Sequence, residues 1–397
     1  MTHKALFFVF LSCCFLGFSQ NMPKGEILDS LKIKGSDDSF ALYLPSSFDA
    51  SKPNPVVFIF EPAARSKIGI QPFIQASEEY GYILVCSNNA KNGPYNTNFE
   101  IANRLFNHVF SSFKIKENQI YFAGFSGGAR LATAIAALTN KAAGVIACGA
   151  GFSHLPEHMP STQNFAYVGM CGDRDFNYFE MINVKKFLER LNFTHAIFTY
   201  NGYHDWPSET KIKQAFDWLQ LQTHRSKRKI VPEDILKSYY QSDYDRIEAF
   251  RKQGNWLQTA LSYERMLASY KGLFELDSIQ NQYDNLLKEK QLILANKQLS
   301  AALSEEVILK NKFRNRFDAD LKSPKANRLN WWKKQLEKLK KQSEKSNLEH
   351  EKMIYRVKNS IGVMTWSTQN SNLYNANQSQ KEYCQDLAKL MNTIFKK

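Results

Sequence analysis

The stretch that decides the fold is QIYFAGFSGGARLATAIAALT, residues 119–139. An apolar run, Ile120 to Ala123, leads into a serine hemmed by Gly124, Gly127 and Gly128, and alanines and leucines lead out. Read by periodicity, this is a strand, a tight turn and a helix in that order. A serine at such an apex needs strongly bent backbone. The residues two before and two after it must be small, because the chain nearly meets itself there. Gly124 and Gly128 hold those two places. Gly-x-Ser-x-Gly alone is a weak signal, and its weight comes from the strand and helix on either side.

The same alternation extends in both directions. DSFALYLPSSF, PVVFIFEP, YGYILVCSN, AAGVIACGAGF, NFAYVGMCGD and HAIFTYNGYH read as further strands. Helix-like stretches at 98–113, 127–140, 179–192 and 208–222 lie between the later ones. Strands alternating with helices of this length predict an α/β fold: a mostly parallel sheet with helices on both faces. At HRSKRKIVPE, 224–233, the character changes. Beyond it the apolar and aromatic residues recur at three and four, with hardly a strand candidate. The expected organisation is an α/β domain over 21–226 and an all-α domain, a bundle or helical-repeat-like array, over 227–397. No convincing 34-residue period is present. Tyr239, Tyr240, Tyr244, Phe250, Trp256, Tyr263, Tyr270 and Phe274 form the expected core stripe of its first helices.

Charge divides the chain at the same place. Residues 221–397 carry 33 Lys and Arg against 20 Asp and Glu, so nearly all of the net +14 lies there. WWKKQLEKLKK mixes its lysines with glutamates as a solvated helix does. Contact of this basic region with an anionic surface is one reading, and a nucleic-acid partner is not expected. Residues 1–20, MTHKALFFVFLSCCFLGFSQ, have the composition of a secretory signal peptide, which predicts a secreted or periplasmic protein. A lipoprotein through Cys13 or Cys14 is disfavoured, since neither has a small-residue context before it, and no later stretch is expected to span a bilayer. Cys86, Cys148 and Cys171 fall in or at the ends of core strands and, with Cys384, show neither metal-clamp nor disulfide spacing. No metal or cofactor is expected.

A serine hydroxyl needs an imidazole to take its proton, and the imidazole needs a carboxylate to fix its tautomer. After the alanine-rich strand come two more. GDRDFNY places Asp173 and Asp175 just past the first, and GYHDWP places His204 just past the second. Serine, acid and histidine therefore follow one another at the carboxyl ends of successive strands.

With GFSGGA at 124–129, GDRDFNY at 172–178 and GYHDWP at 202–207, residues 35–222 resemble an α/β-hydrolase. Within that superfamily they resemble the secreted esterases related to polyhydroxybutyrate depolymerases and feruloyl esterases. The resemblance implies Ser126 as nucleophile, His204 as base and Asp175 as acid, with Asp173 the alternative acid. It also implies an oxyanion hole from the Gly127 N–H and one N–H of the loop after PVVFIF. Such esterases commonly carry His-Gly there, whereas this chain reads Glu61-Pro62-Ala63-Ala64-Arg65. Pro62 has no N–H, which leaves Ala63 or Ala64 as donor. Asn88, Asn92, Tyr95, Phe125 and Trp206 are the candidates for substrate contact. Only SHLPEHMPSTQ stands where relatives insert a helical lid, so an open site is expected. The implied reaction is hydrolysis of a carboxylic ester, on a small molecule or an exposed polymer or polysaccharide. A serine peptidase and a degenerate, non-catalytic binding protein are the alternatives.

Overall fold

A computed structural model describes residues 22–160, 162–324, 329–344, 346–370 and 375–396; the signal-like segment 1–20 lies outside them. Eight strands form one sheet: β1 Ile27–Lys32, β2 Ser39–Tyr43, β3 Asn54–Phe60, β4 Ile83–Ser87, β5 Ile115–Phe125, β6 Gly144–Cys148, β7 Ala166–Gly172 and β8 His195–Tyr200. Their order is β1-β2-β4-β3-β5-β6-β7-β8, with β1, β2 and β4 paired antiparallel and every other pair parallel. This is an α/β-hydrolase arrangement. β1 lies outside the expected strands: its half-exposed ILDSLK carries too little apolar alternation to stand out.

The central strands are buried on both faces, and their alternate residues feed two separate cores. Val56, Phe58 and Phe60 of β3 and Ile120 and Phe122 of β5 face one core. Helices α3 Tyr95–Ser112, α4 Gly127–Thr139 and α5 Tyr178–Arg190 cover it. Val57, Ile59, Tyr121, Ala123 and Phe125 face the other, closed by α1 Ser66–Ile70, α2 Ile74–Tyr80 and α6 Glu209–Arg225 with the short helical turn between α1 and α2. Cys86, Cys148 and Cys171 are fully buried in these strands, as core thiols.

From α6 onward the described residues hold no strand. Helices α7 Glu233–Lys252, α8 Trp256–Tyr270 and α9 Asp277–Leu286 pack on α6 through Tyr239, Tyr263 and Tyr270 together with Leu221. Tyr240, Tyr244, Trp256 and Phe274 are only partly buried against that cluster. The basic stretch after α6 is tied down at both ends. Arg225 donates to the Ser269 and Lys271 carbonyls, and Arg228 to those of Ala143 and Asn164. A second helical core joins α10 Lys290–Lys322, α11 Leu329–Ser343, α12 Leu348–Asn370 and α13 Gln378–Phe395. α11 and α12 are separate helices, and α12 continues to Asn370. Leu299 and Leu303 of α10 pack back onto the sheet's first core. No described helix is long and apolar enough to cross a membrane.

Candidate active site

Ser126 sits at the turn from β5 into α4 with φ 54° and ψ −120°. A non-glycine residue there costs about 1–3 kcal/mol and persists only where its surroundings enforce it. They do so by crowding. A Cβ on Gly124 would lie 2.3 Å from the Gly128 backbone, and one on Gly128 would lie 2.0 Å from the Phe60 carbonyl oxygen. The Ser126 N–H donates to the Cys148 carbonyl at 2.8 Å, which fixes the apex against β6.

Asp175 occupies the turn after β7, its N–H on the Gly172 carbonyl (3.1 Å) and its own carbonyl accepting from Tyr178, the first residue of α5 (2.9 Å). His204 comes from the loop between β8 and α6. The two loops are laced together by Asp173 N–H to Tyr200 O (2.7 Å) and Arg174 N–H to Gly202 O (2.9 Å). Glycine is required at this crossing, since a Cβ on Gly172 would lie 2.4 Å from the Gly202 backbone.

These loops bring three side chains into one line. Asp175 Oδ2 lies 2.8 Å from His204 Nδ1, and His204 Nε2 lies 3.1 Å from Ser126 Oγ. The carboxylate is buried and the imidazole is 19% exposed. Phe125 and Phe176 hold the ring, at centroid distances of 4.6 and 4.2 Å. The second Asp175 oxygen accepts the Asn177 N–H at 2.8 Å, and Asn177 Nδ2 anchors to the Gly149 carbonyl. Burial pushes the neighbouring Cys171 thiol well above its ordinary pKa, and the Asp175 charge adds to that shift.

A cleft of about 710 Å³ opens over Gly127 and Gly128, the two residues after Ser126, although Ser126 and His204 themselves are not among its lining residues. Gly127 and Gly128 form its floor, Asn89, Asn92 and Tyr95 line one side, and Trp366, Ser367 and Asn370 of α12 line another. That size suits an organic ligand of several tens of atoms, within the usual range of about 300–1,000 Å³. A second cavity, about 590 Å³, lies on the Phe176 side, with Phe152, Met159, Phe187, Val363 and Met364 among its walls. Arg130 borders both, held by a bidentate pair to Glu180 at 2.7 Å for each bond.

No family model matches this chain, and no curated protein matches it. Among solved structures it is similar to an S-formylglutathione hydrolase (FrmB) from Staphylococcus aureus, at 18% identity over 50% of this chain and 98% of that one, with a TM-score of 0.40. It is similar also to FphF, a fluorophosphonate-binding serine hydrolase of the same organism (18% identity, 49% of this chain and 97% of that chain, TM-score 0.41). A ferulic acid esterase aligns at 16% identity over 49% of this chain and 97% of its own, with a TM-score of 0.41. At these scores none of them bears on what this chain does, and its chemistry has to be read from its own side chains.

Several candidate residues take places that the sequence does not foretell. Asp173 does not reach His204; its carboxylate pairs with Lys352 (3.0 Å) and Arg174 (3.3 Å). The loop expected to complete an oxyanion hole has no free donor to offer. Ala63 N–H is bound to Glu61 Oε2 at 2.7 Å, Ala64 N–H to the Glu61 carbonyl at 3.0 Å, and Arg65 N–H to Glu61 Oε2 at 2.9 Å. Glu61 is buried and its other oxygen meets the Arg65 guanidinium, a hydrogen bond that raises the arginine's pKa. The carboxylate that looked awkward for an oxyanion therefore turns inward and consumes the loop's own N–H groups.

Asn92 and Tyr95 are in the cleft, but Asn88 is not. Asn88 donates to Asp29 and Ser39 at the far edge of the sheet. Phe125 and Trp206 are likewise not cleft walls; their rings lie 5.3 Å apart at a tilt, Phe125 in the sheet's second core beside His204 and Trp206 partly buried against that core. No insertion after β6 covers the site, and one wall of the cleft comes instead from α12. Nothing local in the sequence signals this, since Trp366 follows Gly128 by more than two hundred residues.

Proposed function

We propose that this protein is a serine hydrolase that cleaves a carboxylic ester through an acyl-enzyme on Ser126. One observation carries the reading: the unbroken line from the buried Asp175 through His204 to a serine held in strained backbone geometry. Ser126 Oγ attacks the ester carbonyl carbon as His204 Nε2 takes its proton, and Asp175 supports the imidazolium that results. Collapse of the tetrahedral adduct breaks the carbon–oxygen bond to the alcohol, which leaves with the proton from His204. Water, deprotonated by the same nitrogen, then attacks the acyl carbon, and the acid departs as Ser126 regains its proton.

The developing oxyanion needs donors. Gly127, in the first turn of α4, has an N–H without an intrahelical acceptor. The second donor we assign to the Asn92 carboxamide in place of Ala63 or Ala64. A Cβ on Gly127 would fall 1.8 Å from Asn92 Oδ1 and 3.4 Å from its Nδ2, so this carboxamide lies over Gly127 with its oxygen nearest, and the donor role requires the amide to turn its NH2 toward the oxyanion; the Asn92 N–H bonds the Pro62 carbonyl at 2.8 Å. The cleft's amides and the exposed face of Trp366 suit a hydroxyl-rich ester, either a small molecule or an end of a polysaccharide. Incubation with a fluorophosphonate followed by peptide mapping tests the proposal. The expected adduct is on Ser126, absent in Ser126→Ala, with turnover of an aryl ester lost in that variant. Labelling elsewhere, or none, refutes it. Matched ester and amide substrates then separate an esterase from a peptidase.

A further inference from the structure

We infer that the C-terminal helices are a working part of this site: Arg356, Glu306 and Lys310 clamp the loop that carries Asp175. The inference rests on the hydrolase reading for its consequence and on independent contacts for its existence. Arg356 of α12 and Glu306 of α10 are both fully buried. Arg356 Nε and Nη2 each lie 2.7 Å from Glu306 Oε2. The remaining arm of the guanidinium does not stay within the bundle. Its Nη1 donates to the Asp173 carbonyl at 2.8 Å, and its plane lies 4.9 Å from the centre of the Tyr178 ring.

Lys310, one turn along α10, meets the other Glu306 oxygen at 2.6 Å and donates to the Phe176 carbonyl at 2.6 Å. Asp175 lies between those two gripped carbonyls, and the Phe176 ring is the one that packs on His204. Lys352 adds a third hold through the Asp173 carboxylate.

A buried ion pair is a poor source of net stability, because the desolvation of both charges offsets their attraction. What it supplies here is direction. Glu306 neutralises and aims Arg356 and Lys310 so that each presents a donor to a backbone carbonyl of one short turn. The β8 loop and Asn177 hold that turn from the sheet side, and the clamp holds it from above. An acid displaced by about an ångström can cost on the order of a hundredfold in rate. Arg356, Glu306 and Lys310 are therefore positioning residues, acting through Asp175.

The test replaces both buried charges in the full-length protein, Glu306→Met with Arg356→Met, which keeps volume while removing the hold on Asp173. Active-site titration normalises turnover to competent serines, so that loss of folded protein does not count. The expected result is a fall of about tenfold or more in kcat per titrated site, with KM for a short aryl ester within about threefold. Hydrogen exchange of the 173–178 amides should rise by a similar factor. Turnover per site and exchange both unchanged would overturn the inference. Should the double variant not fold, Lys310→Met removes the Phe176 contact alone and Lys310→Arg restores a donor. Loss in the first with recovery in the second supports the clamp, and no loss in the first overturns it. If the wild-type protein takes no fluorophosphonate at Ser126, the hydrolase reading fails while the exchange measurement still decides the clamp.

Discussion

Replacing Asp175 by asparagine keeps the size of the side chain and removes its charge, and the surrounding contacts dictate how the new carboxamide must sit. Asn177 N–H points at Asp175 Oδ1 from 2.8 Å, so the amide oxygen belongs there. The NH2 group is then left against His204 Nδ1, 2.8 Å away. That nitrogen must accept, which moves the imidazole proton to Nε2, the atom facing Ser126 Oγ at 3.1 Å. A protonated Nε2 cannot take the serine's proton. Turning the amide over would set its NH2 against the Asn177 N–H in a buried place, at a cost of about 1–3 kcal/mol. That cost alone leaves the working tautomer depleted by roughly 5- to 150-fold. Loss of the negative charge that supports the imidazolium adds to this, and the total expected fall in kcat is about 10³–10⁴. The assay is aryl-ester hydrolysis per titrated site beside a thermal melt, with Asp173→Asn as the control. The Asp173 carboxylate meets Arg174, Lys352 and the Gly202 N–H but not His204, so Asp173→Asn, which keeps an acceptor oxygen in the loop, should lose far less than Asp175→Asn. A loss under about tenfold for Asp175→Asn at unchanged folding would refute the assignment of the acid.

Two further outcomes follow from the cleft. Asn92→Leu keeps the bulk over Gly127 without the amide, and kcat should fall by about 10²–10³ with KM little changed, as for loss of one oxyanion donor; an undiminished kcat would remove Asn92 from the oxyanion site. Trp366, 61% exposed on the wall that α12 provides, is the residue whose loss should alter selectivity. In Trp366→Ala, KM for a bulky or glycosidic ester should rise by about tenfold while a short aryl ester is unaffected, consistent with losing about 1.4 kcal/mol of contact. Equal effects on both substrates would remove α12 from the binding cleft.

The elements that the sequence determines by itself are the ones set by neighbours along the chain. The turn around Ser126 is partly local sterics: Gly124 is demanded by the Gly128 backbone, 2.3 Å from where its Cβ would lie, whereas Gly128 is demanded by the Phe60 carbonyl of the neighbouring β3 at 2.0 Å. The order of serine, acidic pair and histidine is legible because each follows a buried apolar strand, which alternation reveals. The helical character of the second half is equally plain from periodicity.

Between Asp173 and Asp175 the sequence leaves a choice, since two carboxylates in one turn differ only in direction. The close packing of Gly172 on Gly202 sets Asp175 against His204 and sends Asp173 outward. The fate of Glu61, bent back onto the N–H groups of Ala63 and Arg65, depends on a turn geometry that no spacing rule encodes. Arg356 reaches Asp173 across 183 residues, and Trp366 reaches the cleft from farther still relative to Gly128. Such contacts leave no period and no local composition behind them. Only the packing of α10 and α12 on the sheet brings those side chains to the site.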